Sequence, residues 1–166
     1  MNKDIDLDKI IDEYADMINK ILYRKLRNNE DCEDLIQEIF IKYIKYIKRG
    51  NKFDTEDDMK YWLIRVALNL RSNQFKYNRI RRTVRLTENV SYNSEMSFDN
   101  RLNLAIKRLE KKYRDVFELF YIYGFKILEI SEILKITESN VKTRLKRARN
   151  KIKDIISKGE RINGRI

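Results

Sequence analysis

The sequence predicts an all-α protein built as two small helical domains joined by a flexible linker. Three observations carry that expectation. The 166 residues include no proline and only four glycines, a composition that suits helices and argues against turn-rich sheets. Apolar residues recur at intervals of three and four through most of the chain. Residues 83–98, TVRLTENVSYNSEMSF, interrupt that period with a polar stretch rich in Ser, Asn and Thr, the composition of a tether. The expected division is therefore a first domain over 1–82, a linker over 83–98, a second domain over 99–158 and a tail over 159–166.

The first helix is expected over residues 5–28. Ile10, Ile11, Tyr14, Met17, Ile18, Ile21 and Leu22 form its apolar side, Asp4, Asp6 and Asp8 suit its N-terminus, and Lys25 and Arg27 suit its C-terminus. After a break at Asn28-Asn29, a second helix runs from Asp31 to about Lys48. It buries Leu35, Ile36, Ile39, Phe40, Tyr43, Ile44 and Ile47, and turns Asp34, Gln37, Glu38, Ile41 and Lys42 outward. An isoleucine ringed by carboxylates is the pattern of an apolar anchor with a polar surround, although a single exposed Ile is ordinary.

Gly50 and Asn51 end that helix, and residues 52–58 read as an aperiodic polar loop. A third helix is expected from Met59 to about Tyr77, with Trp62, Leu63, Val66 and Leu70 inward. Arg65, Asn69, Ser72, Asn73 and Lys76 form a polar stripe that runs into Arg79, Arg81, Arg82 and Arg85. Cations and amides in such a stripe suit a nucleic-acid backbone with exposed bases. Trp62 shares the apolar face and reads as a core aromatic rather than a stacking platform.

Beyond the linker, Arg101–Lys111 and Tyr113–Tyr123 read as two more helices, with Leu102, Ile106, Leu109, Val116, Phe117, Leu119 and Phe120 apolar and Gly124 as the stop. From Ile127 to Ile156 the pattern is a helix, a tight turn and a much more basic helix. Val141, Leu145, Ala148, Ile152 and Ile155 make one apolar stripe on the last helix, with Ile130, Ile133, Leu134 and Ile136 facing it. Ser139, Asn140, Lys142, Thr143, Lys146 and Arg147 occupy the other side, and Thr137 is the expected N-cap. This outlines a helix-turn-helix whose second helix can lie in a DNA major groove. A plain solvated surface helix is the competing interpretation. The short amides and hydroxyls among the cations favour DNA, because they can approach base edges. The tail after Ile156 is expected to fray.

Composition excludes several classes. The chain has no histidine and one cysteine, Cys32, so an internal disulfide, a Cys/His zinc site and any His-dependent mechanism are excluded, and no metal or cofactor is expected. No leader and no bilayer-length apolar run is visible, which predicts a cytoplasmic chain without direct membrane insertion. The net charge of +11 divides into −3 over residues 1–60, +6 over 61–90, +1 over 91–118 and +7 over 119–166. Two basic zones that can meet phosphate thus follow an acidic third that meets something else. An A+T-rich genome would account for abundant lysine but not for the acidic third.

These segments also carry a family pattern. Asp31 to Ile44, DCEDLIQEIFIKYI, resembles the D-x-x-DL-x-QE-x-F motif of sigma-factor region 2, and Tyr61 to Asn69, YWLIRVALN, resembles the W-L-x-x-I-A-x-N segment after it. Leu109 to Ile155 is similar to region 4. The resemblance spans the chain apart from the linker and both tails, and the short length is similar to that of the extracytoplasmic-function, or ECF, group IV. It implies that Asp34, Gln37, Glu38 and Ile41 bind core RNA polymerase. It implies that Asn69 and Asn73 read a single-stranded −10 element, beside a base-holding loop at residues 53–60, with Arg65, Lys76, Arg79, Arg81 and Arg82 on the same DNA. It assigns −35 bases and adjacent phosphates to Lys142, Thr143, Lys146 and Arg147, with Ser139 and Asn140 beside them and Arg144 and Arg149 in backbone or structural roles. An anti-sigma factor is a further implied partner. The chain departs from the pattern in having Glu110 for Pro, Lys126 for Ser, Ser131 for Ala and Lys135 for Gly; a positive φ at Lys135 would cost about 1 kcal/mol. Two other readings remain: a stand-alone helix-turn-helix regulator whose first domain binds another protein or itself, and a nucleic-acid-processing enzyme, for which Asp57 and Asp58 lack supporting ligands.

Overall fold

The computed structural model describes residues 7–26, 29–82 and 98–163, without the side chains of residues 25, 74–82, 98 and 159–163. Among the described residues there are seven helices and no strand: α1 Leu7–Leu26, α2 Asn29–Lys48, α3 Glu56–Arg82, α4 Phe98–Arg108, α5 Lys111–Tyr121, α6 Ile127–Leu134 and α7 Glu138–Asn163. They form two compact units, residues 1–86 and 87–166. None of these helices is long and apolar enough to cross a membrane.

In the first unit α1, α2 and α3 pack against one another around Tyr14, Ile18, Ile21, Leu22, Leu35, Ile39, Phe40 and Tyr43, the periodic positions of α1 and α2. Cys32 joins this core, and burial first, then the neighbouring Asp31 and Glu33 carboxylates, raises its thiol pKa. The protonated thiol is a poor nucleophile.

Helix α3 differs from the sequence expectation in its ends and in its buried face. Residues 56–58 are helix rather than loop because Thr55 and Asp58 form a reciprocal cap. The Asp58 N–H donates to Thr55 Oγ1 at 3.1 Å, while Asp58 Oδ2 accepts from the Thr55 N–H at 3.1 Å and from its hydroxyl at 2.8 Å. The fully buried residues are Leu63, Ile64, Ala67, Leu68 and Arg71, with Ser72 also buried. Trp62, Val66 and Leu70 are only partly buried. Because α3 packs against both α1 and α2, burial covers more than half of its circumference and extends to Ser72, which therefore does not belong to the exposed polar stripe. Arg71 is tolerated inside because its Nη1 donates to the Ile21 carbonyl at 3.0 Å. Trp62 sits with the aromatic rings of Tyr46 at 5.1 Å, Phe53 at 5.9 Å and Tyr43 at 6.4 Å, a partly exposed cluster rather than the buried core position expected.

The second unit is built on α7, which packs against α4, α5 and α6. Ala105, Ile106, Leu109, Tyr113 and Phe117 meet Ala148 and Ile152 in its core. Both α4 and α5 begin and end earlier than periodicity suggests, because the chain breaks at Leu109-Glu110. Glu110 is the extended N-cap of α5, and the buried Arg114 guanidinium closes the end of α4 by donating to the Leu109 carbonyl at 3.1 Å. Gly124, at φ +73, lets the Phe125 N–H return to the Leu119 carbonyl at 2.9 Å.

The helix-turn-helix closes as expected. The Glu129 carboxylate accepts from the Lys126 N–H at 2.6 Å to start α6, Thr137 Oγ1 accepts from the Asn140 N–H at 3.2 Å to start α7, and Ile130, Ile133, Val141 and Leu145 are buried between them. The α7 backbone continues to Asn163, past the expected end at Ile156. Lys135 adopts the left-handed conformation, φ 52 and ψ 51, at the end of α6. A Cβ there is strained. Lys135→Gly is therefore expected to stabilise the second unit by about 0.5–1 kcal/mol, read as a rise of roughly 2–6 °C in melting temperature. An unchanged or lower value would show that the strain is relieved elsewhere.

Candidate functional site

Helices α2 and α3 of the first unit and α7 of the second each carry a solvent-facing surface that the core does not explain. On α2 the apolar side anchors the helix, so the opposite side is left outward. Asp34 and Gln37 are exposed, Glu38 is half-exposed, and Ile41 keeps 48% of its surface in water beside them. Lys42 pairs with Glu38 at 3.3 Å, a contact of small energetic weight on a surface. The result is an apolar anchor within an acidic and amide-bearing rim.

On α3, Asn69 and Asn73 are exposed one helical turn apart, and Arg65 is partly buried. The backbone of α3 carries Lys76, Arg79, Arg81 and Arg82 on the same helix; their side chains lie outside the described residues, as does Arg85. At the other end of α3, Thr55, Glu56, Asp57 and Lys60 border a cleft of about 550 Å³ with Glu13 and Tyr14 of α1. Carboxylates there repel phosphate but can accept hydrogen bonds from the exocyclic amines of bases. Asp58 is occupied by the Thr55 cap, and no cluster of metal-ligating side chains occurs among the described residues.

On α7, Ser139, Asn140, Lys142, Thr143, Lys146 and Arg147 are all exposed, whereas Arg144 is partly buried. Arg144 Nε donates to Asn140 Oδ1 at 2.9 Å, which fixes the Asn140 amide and leaves its N–H₂ outward. The Thr143 hydroxyl donates to the Ser139 carbonyl at 2.9 Å, a back-bond that spends its proton on the helix. Arg149 donates to the Tyr121 hydroxyl at 3.1 Å and so has a structural partner.

Sequence reasoning missed a cluster beneath this helix. The Arg147 guanidinium beside Tyr113 of α5 lowers its phenol pKa against the opposing effect of burial. The Nζ atoms of Lys112 and Lys151 lie 5.0 and 5.3 Å from its ring centroid. The only sequence signal was that Arg147 and Lys151 continue the i, i+4 stripe of Ser139 and Thr143.

Residues 10–82 match the family model of Sigma-70 region 2, and residues 99–152 match that of Sigma-70, region 4. The chain is 32% identical over 162 residues to the ECF RNA polymerase sigma factor SigW of Bacillus subtilis (strain 168), across 87% of this chain and 85% of that protein. The chain belongs to the ECF RNA polymerase sigma factors. This sigma factor is also 25% identical to SigM of the same organism, across 92% of this chain and 96% of that one. Its fold is similar to that of the sigma factor RpoE from Bartonella quintana, solved with the anti-sigma factor NepR, at a TM-score of 0.62 and 18% identity over 92% of this chain and 97% of that one. CnrH, solved with the cytosolic domain of CnrY, gives a TM-score of 0.63 at 18% identity over 91% of this chain and 87% of that one. The sigma factor thus has both promoter-directed units, and a stand-alone regulator is not favoured.

Proposed function

We propose that this sigma factor binds core RNA polymerase through Asp34, Gln37, Glu38 and Ile41 of α2, reads a melted −10 element with α3, and reads a duplex −35 element with α7. The observation that carries this division of labour is chemical. The α2 surface is acidic around an exposed isoleucine and would repel DNA, whereas α7 presents cations, a hydroxyl and an amide to solvent. Both surfaces are needed by a factor that joins a protein to DNA.

Asn69 and Asn73 offer amide donors and acceptors to base edges, with Arg65, Lys76, Arg79, Arg81 and Arg82 meeting the strand's phosphates. An extruded base fits the cleft beside Thr55 and Lys60, where the energy of unstacking is offset by the new contacts. At the −35 element Lys142, Lys146 and Arg147 reach bases or phosphates, while Thr143 turns its methyl and lone pairs to the groove. Ser139 and Asn140 lie at the N-terminal end of α7 that enters first, and Arg144 orients Asn140. Residues 83–98 tether the two units. The sigma factor works in the cytoplasm as a non-enzymatic initiation factor, with polymerase supplying the chemistry, and an anti-sigma factor that covered either DNA surface would silence it.

Gel filtration of the full chain mixed with core RNA polymerase tests the polymerase assignment. Co-elution is the expected result. Separate elution, together with intact binding to duplex DNA, would favour a regulator that acts without joining polymerase.

A further inference from the structure

Ser139, Thr143, Arg147 and Lys151 succeed one another at four-residue spacing along one stripe of α7. The twelve residue steps from Ser139 to Lys151 span about 18 Å of helix, more than the roughly 12 Å width of a major groove. With the N-terminal end of α7 reading bases, the Arg147–Lys151 end lies at the phosphate ridge. Here α5 intervenes. The Lys151 Nζ is 3.1 Å from Glu110 Oε1 and the Lys112 Nζ is 3.3 Å from Glu110 Oε2, so each oxygen of one carboxylate holds one ammonium. Both ammonium groups flank the ring of Tyr113, and the Arg147 guanidinium beside the same residue lowers its phenol pKa. The lysines lower the Glu110 pKa, Lys151 contributing first, so it is an anion at neutral pH.

We propose that Lys112, Arg147 and Lys151, gathered on Tyr113, form a clamp for a DNA phosphate flanking the −35 element, and that the Glu110 carboxylate is its internal place-holder in the free protein. The inference rests on the reading of α7 as the duplex-binding helix. On docking, a phosphate oxygen replaces each carboxylate oxygen at Lys112 and Lys151 while Tyr113 keeps the cations convergent. Glu110 then returns to water, where it is half-exposed already. The ion pairs themselves are worth little to folding. Their effect is on binding: each DNA contact first has to displace a competing anion.

The test is a double-mutant cycle on the full chain, using fluorescence anisotropy with a 25-base-pair mixed-sequence duplex, whose affinity depends on phosphates. Glu110→Gln is expected to tighten binding roughly fivefold near 100 mM salt. In a Lys112→Ala, Lys151→Ala background the same change is expected to give less than about a twofold gain, and the salt slope of that background falls by about two. Tyr113→Phe keeps the ring and is expected to weaken binding less than the loss of both lysines. An equal gain from Glu110→Gln with and without the lysines would reduce the effect to long-range charge and overturn the place-holder. An unchanged salt slope in the lysine variant would overturn the clamp. Either of those results leaves the sigma function intact, whereas a parent chain that binds no duplex at about 50 mM salt contradicts the duplex-reading role of α7 as well.

Discussion

The Asp34→Ala, Gln37→Ala variant is expected to lose at least about 30-fold of its transcription activity, the loss of roughly 2 kcal/mol typical of removing interface anchors, while its duplex DNA binding stays unchanged. Both residues are exposed on α2, away from the buried Leu35, Ile39 and Phe40, so substitution removes surface chemistry without opening a cavity. Asp34 and Gln37 lie on the acidic outer face of α2 in the first unit, whereas α7, the helix proposed to read duplex DNA, lies in the second. The two readouts are thus separable. Wild-type transcription from this variant would remove α2 as the polymerase-binding surface.

Lys146→Ala is expected to reduce recognition of the −35 element by about tenfold, within the 1–3 kcal/mol that a good base contact contributes, with co-elution with core polymerase retained. Arg147→Ala is expected to do at least as much, because Arg147 is an exposed cation of the same α7 surface. Comparing promoters with intact and substituted −35 elements separates the two roles. A base contact loses discrimination between them, whereas a phosphate contact weakens both equally and flattens the salt dependence. Equal loss of promoter recognition and polymerase binding would indicate misfolding instead.

The parts of this structure that were legible in the sequence are those fixed by local rules. The turn before α7 was readable because Thr137 is a capping residue next to an amphipathic run, and Gly124 marked the end of α5. Lys135 was visible as a candidate for strain only because the sigma-factor pattern the chain resembles has Gly there. The core face of α3 was harder to read. A buried Arg71 and a buried Ser72 look polar in any periodic pattern, and the Ile21 carbonyl that Arg71 meets comes from another helix. Residues 56–58 looked like loop because the reciprocal bonds of Thr55 and Asp58 resemble a polar stretch until the side chains are seen. The site shows the same division. The exposed residues of α2 and α7 follow from helical spacing, but the convergence of Glu110, Lys112 and Tyr113 on Lys151 and Arg147 joins α5 to α7. No local pattern reports a contact across more than thirty residues of chain.

The most direct test of the central claim is run-off transcription with purified core RNA polymerase on DNA carrying this chain's own upstream region, with and without the protein. A discrete transcript that appears only when the protein is added is the expected result, and it would supply a promoter on which the α3 and α7 substitutions can be measured. No transcript, with salt-sensitive duplex binding retained and no association with core polymerase, would contradict the assignment.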